Sequence, residues 1–206
     1  MTPGKFCCLE GNGGCGKTTL TAELVERLNM DGRPVVAWKY PDNVGTLGGV
    51  LRKYINREVE LSARALMPLF LADMVDRQPA LEELLAAGTT VICDRYFYST
   101  MVYQAKHYSP LDIAELVEVL ELRLPDLVIH LDLPTYIIEE RLKKRGTEGD
   151  RFDDVNRDQL EAYKRLYRES LTLYPAVAPE TCLHLTEPWT RSGLVEFVLP
   201  SILRST

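Results

Sequence analysis

The clearest chemistry in this sequence lies in nine consecutive residues, Gly11-Asn12-Gly13-Gly14-Cys15-Gly16-Lys17-Thr18-Thr19. They fit the pattern G-x-x-x-x-G-K-S/T. The glycines let the backbone close into a ring of inward-pointing N–H groups. Those groups and the start of the following helix attract phosphate oxygens. The whole run is read as an ATP-binding loop, with Lys17 reaching the β- and γ-phosphates and the Thr18 hydroxyl ligating Mg²⁺. The competing reading, a glycine-rich turn that merely caps a helix, does not account for its place between an apolar run and a helical stretch. Cys15 sits where a thiol at a helix N-terminus can be activated, and it is also simply a small residue that fits.

Two further segments join this loop. Cys93-Asp94-Arg95-Tyr96 ends an apolar run. Asp94 is read as holding Mg²⁺, directly or through water, and Arg95 as binding a second anion; a surface ion pair is the bland alternative. From Arg141 to Arg151, five basic residues (Arg141, Lys143, Lys144, Arg145 and Arg151) fall within eleven positions. Phosphoryl transfer needs charge stabilisation and exclusion of water. This stretch is therefore read as a lid over about residues 141–154, with Arg145 and Arg151 as catalytic candidates. A solvated helix C-terminus would also favour these cations. No N-K-x-D segment is present for guanine recognition.

These segments need a frame. Apolar runs at residues 6–10, 35–38, 90–94, 127–132 and 182–185 are nearly continuous rather than alternating, as in strands covered on both faces. Helical stretches at 17–28, 63–75, 110–122, 136–144 and 157–173 separate them, punctuated by Gly and Pro. The pattern predicts an α/β fold, three-layered α/β/α of the P-loop NTPase type, with a mostly parallel five-stranded sheet and a lid. Residues 1–206 read as one domain. Ligands in such sheets bind beyond the carboxyl ends of the strands, where all three segments lie.

Composition bounds the partners. The chain has 206 residues, 46% apolar and 26% charged, with a net charge of −6. An acidic balance counts against nucleic acid and anionic membranes but not against small nucleotides. No apolar run approaches the roughly 20 residues of a membrane span, and the N-terminus lacks a secretory pattern. The five cysteines match no zinc or redox spacing and read as free thiols of a cytoplasmic protein.

Taken together the segments resemble the thymidylate kinase family of nucleoside monophosphate kinases. The resemblance rests on Leu9-Glu10-Gly11 into the loop, Tyr40-Pro41, Leu69 to Asp73, Asp94-Arg95-Tyr96 with Ser99 and Tyr103-Gln104, Pro125 to Asp132, and the lid. It implies transfer of the γ-phosphoryl of ATP to a deoxynucleoside monophosphate with Mg²⁺, and usually a homodimer. By the same resemblance Arg95 holds the acceptor phosphate, Phe70 stacks on its base, and Tyr40, Met74, Ser99, Thr100, Tyr103 and Gln104 line the acceptor site. Gly14 stands where some members carry a basic residue, which implies that the catalytic arginine comes from the lid; one lid arginine could instead stack on adenine.

Three positions depart from the family, all on the acceptor side. Gly13 replaces a carboxylate that contacts the sugar, Asp42 and Asn43 stand where an arginine binds the acceptor phosphate, and Met74 replaces an arginine that bonds a thymine carbonyl. Arg77, Lys39 and Arg52 are the cations available to compensate. An altered or broadened deoxypyrimidine acceptor is therefore expected. The other readings are a deoxynucleoside kinase using Asp42 as its carboxylate, and an ATP-binding regulator without transfer.

Overall fold

The computed structural model describes residues 3–145, 151–152, 155–172, 174 and 177–204, so the expected lid is described at 141–145 and 151–152, while its residues 146–150 and 153–154 lie outside the described residues. Strands β1 (Phe6–Glu10), β2 (Val35–Lys39), β3 (Thr90–Asp94), β4 (Leu127–Leu131) and β5 (Thr181–Leu185) form one sheet in the order β2-β3-β1-β4-β5. Every pairing is parallel, with Leu9 opposite Asp94 and Glu10 opposite His130.

The continuity of the apolar runs follows from burial on both faces. In β1, Phe6 and Cys8 pack into one core with α3 (Ala63–Ala86), α4 (Phe97–Tyr103) and α5 (Pro110–Val119). Cys7 and Leu9 point the other way, into a core with α1 (Lys17–Met30), α6 (Thr135–Arg145) and α8 (Arg191–Leu203). Each fully buried Leu or Phe contributes roughly 1.5–3 kcal/mol, so a central strand with no polar face is favoured only between two helix layers. The same alternation puts Glu10, the one acidic residue of β1, on the face of Phe6 and Cys8, toward α4.

The strands match the sequence reading to within a residue. The helices differ more. α3 runs 24 residues, through Pro68 and Pro79, rather than stopping near Val75. A helix-interior proline costs roughly 3 kcal/mol, but continuing the helix buries Leu81 and Leu85 against the sheet. α5 ends at Val119, where Glu121 turns to φ +50°. Its start is fixed by a capping box in which Ser109 and Asp112 bond each other's backbone N–H. Helices α2 (Thr46–Ile55), α4 and α8 were not expected from periodicity, and α7 (Arg157–Thr172) was. α2 holds a glycine its packing requires: a Cβ on Gly48 would lie 2.4 Å from the Asp42 carbonyl oxygen.

The chain leaves β1 toward β2 and later crosses beyond β1 to β4. Loops after β1 and β3 therefore diverge at the carboxyl edge of the sheet and leave a crevice there. None of the described helices is long and apolar enough to cross a membrane.

Candidate active site

The loop after β1 takes its shape from its glycines. Gly11, Gly14 and Gly16 have φ of +134°, +77° and +103°, and a Cβ on Gly11 would sit 2.5 Å from the Leu131 carbonyl oxygen. Lys17 opens α1, and its ammonium donates to the carbonyls of Gly11 and Asn12, both at 2.8 Å. Burial and the neighbouring Arg95 lower its pKa. The Asn12 amide donates to the Leu160 carbonyl at 3.2 Å, and Arg141 from α6 donates to the carbonyls of Gly14 and Cys15, both at 3.2 Å. Cys15 is buried in the apolar core beneath the loop.

At the end of β3, the Thr18 hydroxyl donates to Asp94 Oδ2 at 2.6 Å, and Lys39 Nζ lies 3.5 Å from the same oxygen. Burial pushes the Asp94 carboxyl up, but Lys17, Lys39, Arg95 and the Thr18 hydroxyl outweigh it and hold it below its ordinary range. Its Oδ1 is buried without a hydrogen-bond partner among the described residues. A hydroxyl and an ionised carboxylate with an unused oxygen form a hard oxygen donor pair, which fits Mg²⁺ bound by few protein ligands and completed by phosphate and water.

The next residue, Arg95, has φ +75°, a left-handed conformation that costs a non-glycine residue about 1–2 kcal/mol. Its Nη1 donates to the Gly11 carbonyl at 3.2 Å, Ser99 Oγ at 3.0 Å and Tyr167 Oη at 3.1 Å. The guanidinium carbon lies 5.1 Å from the centre of the Tyr103 ring. Glu10, fully buried at the end of β1, accepts the Tyr96 N–H at 2.7 Å and the Ser99 hydroxyl at 2.6 Å.

These groups open into one cleft with about 870 Å³ of empty volume. Gly13, Gly14, Gly16, Lys17, Thr18, Thr19 and Asp94 line it, and so do Arg95, Tyr40, Phe70, Met74, Ser99, Thr100, Tyr103, Gln104 and Arg145. Gly11, Asn12 and Cys15 support the loop from behind. Phe152 faces Phe70 and Tyr103, with ring centres 6.4 and 4.8 Å away, which makes this part of the cleft an aromatic slot. Among the cations named to compensate for Met74, Lys39 and Arg52 line the cleft. Arg77 instead pairs with Asp42 at 3.0 Å and stacks on Trp38, 3.8 Å from the ring centre.

The two lid arginines part company. Arg145 lines the cleft. Arg151 is bound to the Glu60 carboxylate at 2.6 Å and to the Tyr54 carbonyl at 3.1 Å, with its guanidinium over the Tyr54 ring. Behind the loop lies a second cavity with about 920 Å³ of empty volume, shared by Gly14, Cys15, Gly16, Thr19, Leu133, Arg141, Arg145, Glu187, Trp189 and Leu194. Sequence reasoning did not find Trp189, Glu187 or Leu133, because nothing local marks them. Glu10 was missed too, although an acid closing an apolar run is a signal that could have marked it, and Tyr167 was hidden in helix periodicity.

A sequence model of the thymidylate kinase family matches residues 9–181. The thymidylate kinase of Leptospira borgpetersenii is 36% identical over 169 residues, covering 81% of this chain and 80% of that protein. That of Arabidopsis thaliana is 33% identical over 147 residues, covering 71% of this chain and 54% of that protein. The solved structure of Candida albicans thymidylate kinase superposes with a TM-score of 0.75 at 22% identity, over 97% of this chain and 91% of that one. The structural likeness supports the fold and the sequence matches the kinship, so the chain belongs to the thymidylate kinase family.

Proposed function

We propose that the protein transfers the γ-phosphoryl group of ATP to a deoxypyrimidine monophosphate, converting dTMP to dTDP. One observation carries the reading: a single cleft runs from the phosphate loop to an aromatic slot, and Arg95 touches both, bonding the Gly11 carbonyl and lying over Tyr103. A nucleotide whose base sits between Phe70 and Tyr103 presents its phosphate to Arg95 and, beyond it, to the γ-phosphate of ATP.

In the transfer, an oxygen of the acceptor phosphate bonds to the γ-phosphorus while the bond from that phosphorus to the β,γ-bridging oxygen breaks, and ADP leaves. Lys17 and the loop N–H groups hold the β- and γ-phosphates. Arg95 orients the acceptor. Arg145, alone among the described lid cations in lining both cavities, is assigned to the join, where negative charge spreads over the transferring group. Thr18 and Asp94 would hold Mg²⁺, which neutralises phosphate charge when bound. The second cavity suits the purine of ATP, with Trp189 as an aromatic face. Tyr40, Ser99 and Thr100 complete the acceptor wall.

The acceptor base is read less selectively than an arginine at position 74 would allow. A thioether replaces the fixed donor, Arg77 is held by Asp42, and the buried Gln104 amide can present either its carbonyl or its NH₂ to a base edge. Asp42 does not line the cleft, which favours a monophosphate acceptor over a nucleoside. A cytoplasmic homodimer completes the proposal, supported by the buried free Cys7, Cys8, Cys15 and Cys93 and by exposed Val75, Leu111 and Val119 on α3 and α5.

The test is steady-state transfer from ATP with Mg²⁺ to dTMP, dCMP, dUMP and thymidine. Transfer to the monophosphates and not to thymidine is expected, with dTMP and dCMP within about tenfold in kcat/KM, or about 1.4 kcal/mol. Transfer to thymidine alone overturns the acceptor class. A dTMP preference of about a hundredfold overturns the broadened base. ATP binding with no transfer overturns the enzyme.

A further inference from the structure

We infer that Glu10 is a positioning residue for the acceptor phosphate: through Ser99 and the Tyr96 N–H it holds Arg95 in its left-handed, inward-turned conformation. The inference rests on Arg95 being the acceptor-phosphate ligand, and the experiment below separates the two claims.

Arg95 is awkward to hold. Its backbone is strained at φ +75°, and a long guanidinium side chain has considerable rotamer freedom to lose. The peptide units on either side are pinned. The Arg95 N–H donates to the Leu9 carbonyl at 3.0 Å, and the Tyr96 N–H donates to Glu10 Oε1 at 2.7 Å. The other carboxylate oxygen takes the Ser99 proton at 2.6 Å. That leaves the Ser99 oxygen as an acceptor toward Arg95 Nη1, 3.0 Å away. A single buried carboxylate therefore fixes both the strained backbone and the guanidinium. Its hydrogen bonds are charge-assisted, the strong kind, and its charge also opposes that of Arg95 in a dry environment.

Among the described residues, titratable and charged groups face Glu10 from β1, β3, β4, α1, α4 and α7. Arg95 and Lys17 are the cations. Cys8 on its own strand, Cys93 on β3, Tyr98 on α4 and Tyr167 on α7 have pKa values raised by burial and stay neutral. His130, its partner on β4, is kept neutral by burial, which lowers its pKa to about 3. Burial also pushes the Glu10 carboxyl up to about 7, against the Ser99 hydroxyl, Arg95, the Tyr96 N–H and Lys17. The carboxylate is thus lost just below neutrality, and with it the proton-accepting oxygen that orients Ser99.

The experiment compares wild type, Glu10→Gln, Arg95→Ala and the double variant with ATP and dTMP. Glu10→Gln keeps an oxygen for the Tyr96 N–H and sets an amide donor against Ser99. The expected result is an acceptor KM raised about tenfold or more, with the ATP KM unchanged. The difference from wild type should be greatest at pH 8 and fade below pH 7, where wild type carries a neutral carboxyl. Comparing the two proteins cancels the titration of the dTMP phosphate itself, whose pKa is near 6. In the Arg95→Ala background, Glu10→Gln should add nothing, as two residues acting as a unit require. Additive effects, or acceptor and ATP KM rising together at every pH, overturn the inference. If Arg95→Ala itself leaves the acceptor KM unchanged, it is the reading of Arg95 that fails. Should Glu10→Gln not fold, wild type is compared with Ser99→Ala, which breaks the link between Glu10 and the guanidinium but keeps Arg95, so that the phosphate titration still cancels. A gap in acceptor KM that narrows below pH 7 supports the inference, and a gap constant from pH 6 to 8 overturns it.

Discussion

Replacing Glu10 by Gln removes a buried charge at nearly constant volume, and the structure sets the size of the effect on stability. In the unfolded chain this carboxyl titrates near its ordinary 4.5, whereas burial raises it to about 7 in the fold. Between those values the folded state still carries a proton that the unfolded state has released. Stability therefore falls as pH rises through this window, and the whole loss is incurred above pH 7. At 1.36 kcal/mol per pH unit, the ionised carboxylate costs about 3 kcal/mol of stability. His130 works in the opposite direction. Its folded pKa is depressed from 6.5 to about 3, so the unfolded state binds the extra proton and stability rises with pH across that range. The wild-type curve mixes the two effects, but the difference between wild type and Glu10→Gln isolates the first. Urea unfolding from pH 4 to pH 8 should show nearly equal stabilities at the acid end and a variant more stable by about 3 kcal/mol at pH 8, even as it loses acceptor affinity. A difference independent of pH would refute the reasoning, and so would a variant less stable than wild type at pH 8.

Arg95→Ala removes a charge-assisted contact worth about 1.5–3 kcal/mol, so the acceptor KM should rise roughly 10- to 150-fold while the ATP KM stays put; steady-state kinetics in both substrates checks this. Arg145→Ala should lower kcat on the order of 10³-fold with little change in either KM, because its contact strengthens in the transition state. Arg151→Ala, whose guanidinium is engaged by Glu60 and Tyr54, should leave kcat within about tenfold, well short of an arginine finger. Met74→Arg returns a fixed donor to the cleft wall and should raise the dTMP-to-dCMP ratio of kcat/KM by roughly 10- to 150-fold, on the same energy scale. An unchanged ratio in a folded variant would remove Met74 from base selection.

What was legible in the sequence was what is local or doubly buried. The strands stood out because a strand covered on both faces has no polar side, and the phosphate loop because its glycines, Lys17 and Thr18 are contiguous. The Asp94-Arg95-Tyr96 turn was found for the same reason. Distant pairings were not legible. Arg77, one helical turn beyond Met74, was a natural substitute for the missing arginine, yet Asp42 and the Trp38 ring, both remote in sequence, hold it. Arg145 and Arg151 could not be ranked from spacing, since only the fold brings Glu60 to one of them. Helix α4 escaped notice because it starts directly after a strained turn and is only seven residues long. The second cavity is built from the loops after β1, β4 and β5, the first turns of α1, the far half of α6 and the start of α8, a meeting that no periodicity encodes.

The account stands on an acceptor nucleotide docking against Arg95 while ATP fills the phosphate loop. Calorimetric titration of dTMP into protein saturated with a non-hydrolysable ATP analogue and Mg²⁺ measures this directly. Saturable binding of one dTMP per chain is predicted, weakened about tenfold or more by Arg95→Ala. A titration with no dTMP binding, or with binding indifferent to the loss of Arg95, would contradict it.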